Sequence, residues 1–166
     1  SVDNFGGGQL AARHLLSQGV EKFGILSISP EHISTIKERE NGFCETLKLS
    51  NIEISENCFL RIPFNNMEES LKKQMLKLYQ NGNIPEAFFC LNNNLTAACL
   101  QTLKSLNIKV PDDILLLGFD DMQFYNFTQP SISAISQPIE MIGEKAFELL
   151  LEQINNPNKE NKKNKT

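Results

Sequence analysis

The run Ile114-Leu115-Leu116-Leu117-Gly118-Phe119 does most to narrow the folds open to this chain. A short unbroken apolar run reads as a strand buried on both faces, the environment of a parallel sheet. Val110-Pro111-Asp112-Asp113 leads into it, and Asp120 and Asp121 follow it. The carboxyl end of a strand is where open α/β sheets bind ligands. Residues 23–28, 57–62 and 87–91 form three further short runs that read as strands.

Helical patterns alternate with these runs. In residues 6–18, Leu10, Ala11, His14 and Leu15 make one stripe, and Gly19 is the stop. In 34–49, Ile36, Phe43 and Leu47 make the stripe, with Arg39 and Asn41 on other faces. In 67–80, Leu71, Met75, Leu78 and Tyr79 point inward, and Lys72, Lys73 and Lys77 outward. Asn92-Asn93-Asn94 is an N-cap cluster for a helix over 95–106. Residues 124–130 read as a loop and 131–136 as a short extended segment. Pro138 opens a last helix over 139–154, which need not pack on the same sheet. The alternation predicts an α/β fold: a doubly wound parallel sheet in three αβα layers.

The 166 residues suit one domain with a substantial core. Hydrophobic content of 40% and charge of 22% are ordinary for a soluble globular protein. No apolar stretch approaches the ~20 residues needed to span a bilayer, so no membrane role is expected. Residues 1–20 lack a basic start followed by an apolar run. The chain opens on Ser1 rather than Met, as a piece of a longer protein does. Net charge is −4, unevenly spread. From Asn155 to Thr166, four lysines stand against Glu160, giving +3 and leaving −7 for the rest. So acidic a body repels a phosphate backbone, so this segment is not expected to bind nucleic acid. The tail, 155–166, reads as polar and disordered. Cys44, Cys58, Cys90 and Cys99 form no C-x-x-C pair and have no His at metal spacing, which favours free thiols in a reducing cytoplasm.

The loops after the strands carry a chemical kit. Ser34, Thr35 and Arg39 follow the first run, Phe64 the second, Asn92 and Asn93 the third, and Asp120 and Asp121 the fourth. A guanidinium fork, an amide, a carboxylate and an aromatic face suit a polyhydroxylated or heteroaromatic small molecule. Each also has a bland reading. Arg39 can pair with Glu38 or Glu40 on a helix surface, Asp120 can cap a turn, Asn92 can be an N-cap, and Phe64 can be core. His14 reads as a helix residue and His32 as a loop residue near the crevice. Gly6-Gly7-Gly8 lacks the strand and spacing of a phosphate loop, and helix entry accounts for it. Catalysis through Asp120 as a strand-end nucleophile would need more carboxylates than Asp120 and Asp121 supply. No enzyme activity, cofactor or metal site is expected.

The ordered motifs resemble the effector-binding domain of LacI/GalR-type transcriptional repressors, which share their fold with periplasmic sugar-binding proteins. The carrying residues are Val2-Asp3-Asn4 with Gly6-Gly7, Arg39 ahead of Gly42-Phe43, Pro85-Glu86-Ala87-Phe88-Phe89, Asn92-Asn93, Val110-Pro111-Asp112-Asp113-Ile114, Gly118-Phe119-Asp120-Asp121, Pro130-Ser131-Ile132, and Gln137-Pro138 with Ile142-Gly143. The resemblance runs from Val2 to about Ile154. It implies a type I periplasmic-binding-protein-like fold, mainly its second lobe, over 1–136. Residues 137–154 would cross back toward a first lobe that lies outside the chain. A DNA-binding headpiece would lie outside it too, so DNA contact belongs to the full protein, which is expected to be a homodimer. A small effector, with sugar favoured, would bind between the lobes. The resemblance makes Arg39 the effector-gripping arginine, Asp120 the acceptor carboxylate and Asn92 part of the polar contacting turn. Phe64 falls at a stacking position and Thr35 at a short polar contact. Gln137 and Asp3 lie at the crossovers. Ile33 stands where some purine-responsive members carry a basic residue, which counts against a nucleobase. A periplasmic sugar receptor of the same fold is the alternative.

Overall fold

A computed structural model describes residues 2–30 and 33–155. The chain alternates as expected: α1 (Asn4–Ser17), β1 (Phe23–Ser29), α2 (Ser34–Leu49), β2 (Phe59–Pro63), α3 (Met67–Gln80), β3 (Ala87–Cys90), α4 (Asn93–Ser105), β4 (Leu115–Phe119), β5 (Ser133–Ile135) and α5 (Ile139–Asn155). The five strands form one sheet in the order β2-β1-β3-β4-β5, and every pairing is parallel. The chain winds outward one way from β1 to β2 and the other way from β3 to β5. The sheet's switch point therefore lies between the carboxyl ends of β1 and β3.

The apolar runs are buried because both sheet faces are covered. Every residue of β3 is buried, as are the first six of β1. Helices α1 and α2 pack on each other, and α3 packs on α4. Four rings make a chain through the core. Phe23 meets Phe43 edge-on at 6.0 Å, Phe43 stacks on Phe89 at 4.7 Å, and Phe89 meets Phe119 at 6.4 Å. Such pairs add about 0.5–1.5 kcal/mol each beyond area burial.

Helices α1 and α2 touch backbone to backbone, and two glycines permit it. A Cβ on Gly8 would lie 2.0 Å from the Arg39 carbonyl oxygen, and one on Gly42 would lie 2.0 Å from that of Phe5. Asn4 precedes Gly8 by one turn, and Arg39 precedes Gly42 by one turn. The crossing therefore brings Asn4 and Arg39 together.

Several expectations need adjusting. Helix α1 starts at Asn4 rather than Gly6, because the Asp3 carboxylate caps it by accepting from the Gly6 N–H at 2.7 Å. The second strand starts at Phe59, since Glu56–Cys58 form a tight turn. The expected loop at 124–130 holds a similar turn, Gln123–Phe127, and the extended segment after it becomes β5. Leu10 and Tyr79, expected inward, are 54% and 60% exposed. Leu10 lines a crevice of about 700 Å³ between α1 and α5. No residue of α5 is buried. All four cysteines are free; Cys58, Cys90 and Cys99 are buried and Cys44 is half-buried. His32 and the tail from 156 onward lie outside the described residues.

Candidate functional site

The Arg39 side chain is drawn into the molecule by four contacts. Its Nε donates to Asn4 Oδ1 at 2.9 Å, and its Nη1 donates to the Leu91 carbonyl at 2.8 Å. Nη1 also faces Asp120 Oδ2 at 3.5 Å. The guanidinium carbon lies 3.7 Å from the centre of the Phe119 ring, the end of the aromatic chain. Cation–π contact of this kind is worth about 0.5–2 kcal/mol, more as water is excluded. Arg39 is only 7% exposed. Burial lowers its pKa from the ordinary value, and Asp120 opposes that shift by its charge and hydrogen bond. The surface pairing with Glu38 or Glu40 does not form. Glu40 instead takes a two-pronged ion pair from Arg61 at 2.5 and 2.6 Å.

Asp120 leaves β4 with φ at +71°. A non-glycine residue in this region costs of order 1 kcal/mol or more, and such strain gathers at functional sites. Short polar side chains such as Asp tolerate it best. The Asp120 N–H donates to the Ile135 carbonyl at 3.0 Å, which locks the turn to β5. One carboxylate oxygen faces Arg39, and the other accepts from Gln137 Nε2. The carboxylate stays partly open to solvent, the side chain being 27% exposed. Asp121 is exposed and joins none of these bonds.

Asn92 sits where β3 ends and α4 begins. Its Oδ1 accepts from the Leu95 N–H at 2.9 Å, so the N-cap reading is correct. Among the described residues no hydrogen-bond partner meets its Nδ2. Phe64, after β2, is 64% exposed, so it is not core. Thr35 is exposed in the first turn of α2, one turn before Arg39 on the same helix face. Neither Thr35 nor Phe64 is bonded to the Arg39–Asp120 pair. Asp3 caps α1 and, with Gln137, lines the crevice between α1 and α5.

The structure thus brings Arg39, Asp120 and Gln137 into one bonded cluster, with Asn92 beside it through Leu91. Thr35 and Phe64 remain exposed and Asp3 is committed to a cap. Three participants were missed from sequence: Asn4, the Leu91 carbonyl and the Phe119 face. Asn4 and Phe119 both stand within the quoted motifs, and their spacing from Gly8 and Asp120 was the available signal. Among the described residues no three His, Cys, Asp or Glu side chains gather as metal ligands. No helix among them is long and apolar enough to cross a membrane.

This arrangement has known counterparts. A family model described as a periplasmic binding protein-like domain matches residues 12–165. The chain belongs to that family. The HTH-type transcriptional repressor PurR of Photobacterium profundum is 30% identical over 154 residues, which is 93% of this chain and 45% of the relative. The chain thus spans about half the length of the curated relatives it matches. A LacI family transcriptional regulator from Enterococcus faecium, solved with bound ribose, superposes with a TM-score of 0.82 at 25% identity, over 96% of this chain and 57% of that one. A periplasmic binding protein/LacI transcriptional regulator from Alkaliphilus metalliredigens, complexed with D-xylulofuranose, gives a TM-score of 0.77 at 26% identity, over 93% and 56%. The domain is therefore the effector-binding type found in LacI-family regulators, as the motifs implied.

Proposed function

We propose that this domain binds a small neutral sugar and, within a longer DNA-binding regulator, couples that binding to transcription without catalysing a reaction. One observation carries the reading. A buried arginine, paired with a strained carboxylate at the strand ends, keeps a donor edge beside a partly open acceptor. Arg39 and Asp120 offset each other's charge, so a neutral polyol fits better than an ion. Asn92 offers an amide donor, Thr35 a hydroxyl, Phe64 an aromatic face, and Gln137 and Asp3 polar groups at the rim. The sugars held by the two structural relatives support this choice.

In this reading residues 1–136 form the second lobe, and 137–154 cross to a first lobe outside the chain. The fully exposed α5, with Met141, Ile142 and Leu149 unburied, supports such a crossing. The protein works as a cytoplasmic homodimer and contacts DNA through a separate headpiece. Effector binding acts only through its differential affinity for two arrangements of lobes and dimer.

The test is a thermal-shift screen of the full-length regulator against pentoses, hexoses, cellobiose and nucleobases. At a hundredfold excess over Kd, a ligand adds about 2.7 kcal/mol, or roughly 5–10 °C in Tm for a domain of this size. Arg39→Ala and Asp120→Ala each remove the shift. A normal response in both variants refutes the site. In the gene, a helix-turn-helix upstream agrees with the regulator, whereas a secretory signal there points to a periplasmic receptor.

A further inference from the structure

We propose that Asn4 is a positioning residue, which sets the direction in which Arg39 presents its free edge to the effector; this rests on the effector-site reading above. Asn4 is 5% exposed and opens α1. Its Oδ1 accepts from Arg39 Nε at 2.9 Å, and its Nδ2 donates to the Val2 carbonyl at 3.3 Å. The guanidinium carries five N–H donors in one plane. Nε is spent on Asn4, and Nη1 on Leu91 and Asp120. Among the described residues nothing meets Nη2, which is left for a ligand.

Phe119 beneath the guanidinium fixes the tilt of its plane but not rotation within that plane. The bonds at Nη1 hold one end, while Nε at the other end hangs on the flexible side-chain stem. Asn4, at the opposite end, closes the rotation and points Nη2 along one line. The first turn of α1 is held in place on both sides. A Cβ on Gly7 would lie 2.8 Å from the Phe119 ring, and Gly8 abuts the Arg39 backbone. Movement of α1 against α2 therefore passes directly to the ligand-facing donor. Asn4 follows Val2 and Asp3 at once, so it also ties the pocket arginine to the segment entering the domain.

Two variants of the full-length regulator separate this role from a structural one. Asn4→Ala removes the acceptor. Asn4→Asp keeps an acceptor for Nε but cannot donate to Val2. The first readout is solvent exchange of the Arg39 Nε–H by ¹⁵N NMR, assigned with Arg39→Lys. Exchange should rise about tenfold or more in Asn4→Ala and stay close to wild type in Asn4→Asp. If Asn4→Asp behaves like Asn4→Ala, the residue only tethers Val2 and the proposal is overturned. Unchanged exchange in Asn4→Ala overturns it as well. If Asn4→Ala does not fold, protection in Asn4→Asp alone decides. The second readout is affinity for D-ribose, D-xylose, D-glucose and cellobiose. For any that binds, Asn4→Ala should weaken it about tenfold, with recovery in Asn4→Asp; equal binding by Asn4→Ala and wild type also overturns the proposal. If none shifts the wild type, the sugar reading fails, and the exchange measurement still decides the role of Asn4.

Discussion

Replacing Gly42 by alanine tests whether the α1–α2 crossing builds the site. The new Cβ would lie 2.0 Å from the Phe5 carbonyl oxygen and 3.2 Å from the Gln9 nitrogen, where ordinary contact begins at 3.4 Å. Both obstacles are backbone, so no side chain can swing away, and α1 must retreat by about 1.4 Å. Overpacking of this kind costs about 1–3 kcal/mol. Losing the buried bond between Arg39 and Asn4 adds about 1–3 kcal/mol. Against this, alanine in a helix interior gains up to ~1 kcal/mol over glycine. The net effect is a loss of about 1–5 kcal/mol. With a urea m-value of roughly 2 kcal/mol/M, the unfolding midpoint falls by about 0.5–2.5 M at unchanged m. Gly143→Ala is the control, because that glycine is exposed in α5 with nothing within 4 Å of its added Cβ. There the same substitution should be neutral or stabilise by up to ~1 kcal/mol. If Gly42→Ala is as stable as Gly143→Ala, the close crossing does not exist as described.

Three more outcomes follow from the geometry. Asp120→Gly and Asp120→Ala both lose the carboxylate, so their difference isolates the left-handed backbone at φ +71°; the glycine variant should be more stable by ~1 kcal/mol in urea melts, and equal stability removes the strain argument. Glu86 accepts from the Glu21 and Lys22 N–H groups at 2.8 and 3.2 Å, which holds its carboxyl below the usual range. A depressed folded pKa gives stability that is present above the unfolded value near ~4.3 and lost as pH falls through the folded value. Glu86→Gln should therefore be less stable than wild type at pH 7 and match it at about pH 2, and a constant gap across that range counts against the bonds. Burial pushes the Cys44 thiol up to about 11, with the Glu40 charge adding to the shift. At pH 8 the native chain should react with a thiol-specific disulfide reagent far more slowly than the unfolded chain, and equal rates would show Cys44 to be open.

Strands β3 and β4 were legible because each is an unbroken apolar run, the pattern of a sheet covered on both faces, whereas the apolar stretches of β1 and β2 are interrupted at Ser27 and Arg61. The helices were legible from their stripes, but periodicity gives the centre of a buried face and not its edges. That is why Leu10 and Tyr79, at the margins of their stripes, were expected inside and lie outside. Arg39 and Asp120 stood out through their place in the motifs, and the structure joins them across 81 positions of sequence. Asn4 was not singled out, because the apolar pattern starts the first helix only at Gly6 and leaves Asn4 outside it. Its partner becomes evident only when two glycines, one turn beyond each residue, are seen to pack on the opposite helix's backbone. The strain at Asp120 was also invisible, since it depends on where β5 pairs.

The aromatic chain from Phe23 to Phe119 gives the pocket a floor continuous with the hydrophobic interior. Any change beneath Arg39 is therefore felt throughout the fold, and a Phe-to-Ala change there would cost about 3–5 kcal/mol. Thr35 and Phe64 are exposed and unbonded to that floor, and substitutions at such surface positions usually fall within about 0.5 kcal/mol. On the proposed effector-site reading, adaptation to a new effector has a ready route: the rim can be rewritten one residue at a time while the charged grip and its aromatic base stay constant.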